Sequence, residues 1–168
     1  ELQRLLAKSA FHSLGIGGRD TLGHAEYLAA VFAAWEPTLP VLLDTDGQRP
    51  EAVRDLRRWL RMLQVTLAAD AGAALVERAL HTLREAAGAD LEHALVLDVT
   101  EQTSDGQLLR IVEQAHEASE RVSVIVHPSA QAEAAGLDRR WSVLLEQATS
   151  RHADVRLVRR IPPPLGLR

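Results

Sequence analysis

The sequence predicts an α/β domain in which a five-stranded parallel sheet lies between two helical layers, with an N-terminal pair of helices ahead of it. Three observations predict it. Five short runs rich in Val, Leu and Ile recur at 40–46, 63–70, 94–101, 121–129 and 155–161. Most of these runs are continuous rather than alternating, the pattern of strands covered on both faces. Segments of helical period separate them, and strict strand–helix alternation implies right-handed crossovers in a parallel sheet.

Taken in order, LQRLLAKSAFHS reads as a short first helix and SLGIGGRD (13–20) as a glycine-rich separator. RDTLGHAEYLAAVFAAW (19–35) is apolar on almost every side, so it reads as a helix packed against something. It either caps the sheet or serves self-association or a protein partner. The first strand is PVLLDTD (40–46). In RPEAVRDLRRWLR (49–61), Pro50 suits a first helical turn, and Val53, Leu56 and Leu60 share one stripe. The strand LQVTLAAD (63–70) precedes AGAALVERALHTLREAAG, a helix with Leu75, Ala79, Leu80 and Leu83 inward and Gly88 as its stop. ALVLDVTE (94–101) leads to DGQLLRIVEQAHEASE, with Leu108, Ile111, Val112 and Ala115 inward and Ser104 or Asp105 as cap. RVSVIVHPS (121–129) is followed by a helix through Leu137, Trp141, Leu144 and Ala148, and VRLVRRI (155–161) closes the sheet. The expected organisation is a helical extension over 1–38, the α/β domain over 39–162 and a tail over 163–168.

Composition narrows the function classes. A chain of 168 residues suffices for one domain that buries roughly two-thirds of its surface on folding. Its net charge of −4 offers no electrostatic reason for nucleic acid or an acidic membrane surface. No apolar run approaches the ~20 residues that cross a bilayer, and no leader is evident, so the expected location is cytoplasmic. With no cysteine, disulfides, thiolate catalysis and cysteine–metal sites are excluded. All basic residues but Lys8 are arginine, a bias suggesting a GC-rich bacterial source.

Candidate chemistry collects where the predicted strands end, because parallel α/β sheets bind ligands at the carboxyl ends of their strands. Those ends carry Asp44 and Asp46, Asp70, Asp98 with Glu101, His127 with Ser129, and Arg159 with Arg160. Asp44, Asp46 and Asp98 together could hold Mg²⁺, which prefers oxygen ligands. The same carboxylates also suit turns and helix caps. No other cofactor is expected. The glycines of LGIGGRDTLG lack a Lys-Ser/Thr ending and a preceding strand, so no phosphate loop is expected there. His24 and Glu26 read as helix surface, and Trp35, Trp59 and Trp141 as packing residues. Arg54, Arg57, Arg58 and Arg61 form a basic, solvated face.

Two family resemblances follow from these motifs. LVLDVTEQTSDGQLLRIV resembles response-regulator (CheY-like) receiver domains, in which a phospho-accepting Asp ends the third strand and an Asp-Gly pair opens the next helix. Asp98, Asp105 and Gly106 have that spacing, LLDTDG is similar to the acidic first-strand tip, and VIVHPSA to the fourth strand. The resemblance spans residues 40–162. It implies Mg²⁺-assisted phosphoryl transfer to Asp98, with Ser129 and Arg159 sensing the new charge, and a signalling role through protein contacts. Arginine stands where the family has lysine, and no proline follows Asp98. The rival resemblance is to short-chain dehydrogenase/reductases, a Rossmann family, through residues 65–130 and the LDVT segment. A Tyr-x-x-x-Lys pair is impossible with Tyr27 and Lys8 as the only such residues, so that resemblance implies a pseudoenzyme serving as a structural or interaction module. Both imply a Rossmann-like sheet, with strand order 2-1-3-4-5 for the receiver and 3-2-1-4-5 for the reductase.

Overall fold

The computed structural model describes residues 11–18, 20–130, 132 and 138–158. Strands and helices alternate from β1 (Leu14–Ile16) through a 3-10 turn (Thr21–His24) and α1 (Ala25–Trp35) to β2 (Val41–Thr45). A second 3-10 turn (Pro50–Ala52) runs into α2 (Val53–Leu56), followed by β3 (Leu60–Ala68), α3 (Ala73–Gly88) and β4 (Glu92–Val99). Then come α4 (Asp105–Ala118), β5 (Ser123–Pro128), α5 (Asp138–Thr149) and β6 (Val155–Leu157). All six strands form one parallel sheet in the order β1-β2-β3-β4-β5-β6. The expected α/β class with one parallel sheet stands, with six strands in place of five.

The additional strand is β1, inside the stretch expected to be a separator. Three residues with Gly15 at their centre carry no β signature of their own. They become a strand because β2 offers a ladder, beginning with Leu14 N–H donating to Pro40 O at 2.9 Å. The expected N-terminal helical pair is therefore revised. Most of its first helix lies outside the described residues, and the described part, 11–13, is not helical. Its second is α1, which together with the 3-10 turn before it shares the core of the rest of the chain through Leu22, Ala25 and Phe32.

Each crossover steps to the next position in the same direction along the sheet. Right-handed crossovers that always advance the same way place every helix on one face. The five helices accordingly touch one another in a single row, each against its sequence neighbour. Burial alternates in step. Val41, Leu43, Leu63, Val65, Leu67, Leu95, Leu97, Val124 and Val126 are buried beneath the helices. Their alternates Leu42, Asp44, Met62, Gln64, Thr66, Val96, Ile125 and His127 are only partly covered, and Asp98 is exposed. Ala94, short and flanked by Gln64 and Ser123, is the buried exception on that side. The expected second helical layer is thus not found among the described residues.

Several element boundaries also shift. The helix expected over 49–61 stops at Leu56, because pairing with Val41 draws Leu60 into β3. On α3 the inward stripe runs through Val76, Ala79, Leu80, Leu83 and Ala86, while Leu75 is 42% exposed. Ser104 rather than Asp105 caps α4, accepting from Gln107 N–H. Gly47 turns the chain after β2 at φ 71°, and a Cβ there would meet the Ala79 Cα and the Val65 Cγ1, both at 2.9 Å. Thr82 Oγ1 donates to Gly47 O at 2.8 Å, fastening that turn to α3. Among the described residues, no helix is long and apolar enough to cross a membrane.

At the amino end of β4, His93 is buried on the helical side of the sheet. Its Nδ1–H donates to Leu91 O at 2.8 Å and its Nε2 lies 2.8 Å from Ser119 Oγ, which can donate to it when the ring is neutral. Burial is the main force holding its pKa below the ordinary imidazole value, while the Leu91 carbonyl opposes the shift and Arg121 adds to it. The unfolded chain therefore binds a proton near pH 6.5 that the folded chain refuses, so this residue's contribution to stability is present above that pH and lost as pH falls below it. Urea unfolding of the native chain and of His93→Gln at pH 7.5 and 5.0 measures this. The native protein should lose more stability on acidification than the variant, and equal losses would refute the assignment.

Candidate functional site

The carboxyl ends of the strands, on the face that carries no helix among the described residues, bring together two groups of polar side chains. In the first, Asp44 on β2 stands opposite Gln64 on β3. Its Oδ1 accepts from Thr66 Oγ1 at 2.8 Å and from Gln64 Nε2 at 3.2 Å, and its backbone carbonyl accepts from Thr21 Oγ1 at 2.6 Å. No cation lies within ion-pair distance of this carboxylate among the described residues. Gly17, in the turn after β1, faces it, a Cβ there lying 3.8 Å from Asp44 Oδ2. A groove of about 230 Å³ opens beside these groups, lined by Gly15, Gly17, Leu42, Asp44, Met62 and Gln64.

The second group is a pair on adjacent strands. Asp98 of β4 and His127 of β5 are direct register partners, and His127 Nδ1 lies 2.9 Å from Asp98 Oδ1. A neutral imidazole donating Nδ1–H to a carboxylate keeps its Nε2 lone pair outward, the arrangement that suits an imidazole to accept a proton or hydrogen bond from a bound group. His127 is about one-third exposed and Asp98 about half.

The three carboxylates expected to share Mg²⁺ are not brought together. β3 lies between Asp44 and Asp98, and the register sets Asp44 against Gln64 but Asp98 against Ala68. Two strand spacings across and four residues along separate their Cα atoms by about 16 Å, beyond the reach of one ion. Asp46 sits past the strand end, where its Oδ1 accepts from Gln48 N–H in a tight turn. Among the described residues, no three carboxylate or imidazole groups are arranged to hold a metal.

The remaining expected residues have local duties. Ser129 Oγ accepts from Ala132 N–H at 3.1 Å. Asp105 is tied to Arg140, at 2.7 and 3.1 Å. Asp70 and Glu101 are exposed, and Arg159 and Arg160 lie outside the described residues. The basic face is largely spent within the chain. Arg54 makes a two-pronged contact to Glu85, holding that carboxyl below its usual range, Arg58 lies over Trp59, and Arg61 pairs with Glu92. Sequence reasoning missed Gln64, Thr66, Gly15 and Gly17. The signal for the first two was present, since Met62, Gln64 and Thr66 alternate with Leu63, Val65 and Leu67. A strand, with Gly15 at its centre, does precede Gly17 and Gly18, contrary to expectation. The turn they form faces the Asp44 carboxylate, and Asp20 itself accepts from Gly23 N–H, so the loop is unsuited to a phosphate.

One further surface stands out in the helical row. On α1, Ala25 and Phe32 are buried, Phe32 lying against Trp59 with ring centroids 5.7 Å apart. Tyr27, Ala30, Val31 and Ala34 form a second stripe at helical spacing on the outside, with Tyr27 68% exposed.

The fold and the site define an α/β domain with one all-parallel sheet. No family model and no curated protein matches the chain.

The pairing of Asp98 with His127 predicts a tautomer. Long-range ¹H–¹⁵N spectra above pH 7.5 should show His127 protonated at Nδ1 and bare at Nε2. Asp98→Ala should return the ring to the mixture typical of free histidine, and an unchanged pattern in that variant would show that the carboxylate does not orient it.

Proposed function

We propose that this chain is a regulatory domain that acts through contact with other protein, its outer α1 stripe joining it to a second copy of itself. The observation that carries this reading is the apolar set Tyr27, Ala30, Val31 and Ala34 facing outward from a helix whose opposite side is already buried. A self-complementary stripe on one helix suits a two-fold contact, in which each copy presents the same residues. The receiver resemblance supports the regulatory part of the reading, and the reductase resemblance, without its catalytic pair, leads to the same contact-based role.

The phosphoryl-responsive part of the receiver reading draws less support. In order 2-1-3-4-5 the acidic first strand borders the strand of the acceptor Asp, whereas here β3 separates Asp44 from Asp98. Mg²⁺ with beryllofluoride, a phosphoryl mimic, should leave the melting temperature unchanged. A rise of several degrees that Asp98→Asn removes would restore phosphoryl transfer as the switch.

The contact itself is tested by sedimentation equilibrium over micromolar to submillimolar concentrations. The native chain should form dimers, and Tyr27→Glu should weaken association by about tenfold or more, since it places a charge at the largest and most exposed side chain of the stripe. Circular dichroism of the variant should match the native protein. A native chain that stays monomeric across that range would overturn the reading.

A further inference from the structure

The groove beside Asp44 combines three properties that together specify a ligand. Its floor is apolar, made by Leu42 and Met62, with Gly15 adding no side chain above the sheet. Its end is a carboxylate. Among the described residues, only neutral donors satisfy that carboxylate, Gln64 Nε2 and Thr66 Oγ1, and both go to Oδ1. Oδ2 faces the turn at Gly17, where no side chain stands between it and the groove among the described residues. At about 230 Å³ the groove is smaller than the roughly 300–1,000 Å³ that holds a drug-sized molecule.

We infer that this groove binds a small organic cation, a primary alkylammonium whose short chain lies on Leu42 and Met62 and whose ammonium donates to Asp44 Oδ2. A carboxylate beside an apolar wall is partly stripped of water, and a cation with its own apolar tail restores the lost interaction while covering the wall. An anion is repelled by Asp44, and a neutral chain leaves the carboxylate unanswered. Gln64 and Thr66 act as positioning residues by fixing the carboxylate's rotation and turning Oδ2 toward the ligand. The inference does not depend on the dimer contact at α1, which lies in the helical row, so either can fail alone.

The experiment is a ¹H–¹⁵N titration of the full chain with n-pentylammonium chloride up to tens of millimolar, with pentan-1-ol as the neutral control. Saturable shifts should centre on the amides of Gly15, Gly17, Leu42 and Met62. Asp44→Asn, close to isosteric and still able to accept from Thr66, should weaken binding at least tenfold, and pentan-1-ol should bind no better to the native chain than the ammonium does to that variant. Gly17→Val, which fills the approach to Oδ2, should weaken binding independently and serves if Asp44→Asn fails to fold. Linear, non-saturating shifts, equal binding of the alcohol, or undiminished binding by the variants would each overturn the inference.

Discussion

Everything in this fold follows from the handedness of its crossovers combined with their direction. A strand, a helix and the next parallel strand join in a right-handed sense because strand twist and helix hand pack only that way. When such a chain reverses direction along its sheet, helices fall on both faces. Here it never reverses from β1 to β6, so the helices form one row and the sheet keeps one face beyond them. That is the winding of α/β barrels rather than of doubly wound sheets, although among the described residues both edge strands, three residues each, pair on one side only.

A one-sided sheet changes what its alternate residues can be. On the helical side the side chains are nearly all aliphatic, and the polar ones are satisfied individually, as Thr82 is by Gly47 and His93 by Leu91 and Ser119. On the other side Asp44, Gln64, Thr66, Asp98 and His127 are tolerated because water or each other can meet their hydrogen bonds. Asp44 with Thr66, and Asp98 with His127, are cross-strand pairs whose geometry follows from register. The site is therefore a property of pairing between strands and belongs to no single segment.

The same point explains the limits of the family comparisons. Spacing along one segment, such as Asp98 to Asp105 and Gly106, describes one strand, its loop and the first turn of a helix, and any βα unit with a capped helix can reproduce it. In this molecule Asp105 is tied to Arg140 and Ser104 caps the helix, both ordinary structural tasks. What makes a receiver is which strands are neighbours. Strand order is set by which edge each new strand joins, a choice made by packing across the whole domain.

The amino-acid sequence by itself determined the alternation of strands and helices, the parallel sheet and most of the inward residues, because apolar period and capping are local. It also held the wet face in plain view, in the alternation of Met62, Gln64 and Thr66 with Leu63, Val65 and Leu67. Only the tertiary structure decided that Leu14–Ile16 is a strand, since its three residues take up ladder positions against β2. It likewise decided that Asp44 stands with Thr66 and Gln64 instead of with Asp98, because the neighbours of a strand end are fixed by sheet order and register, and neither is written in any one stretch of chain.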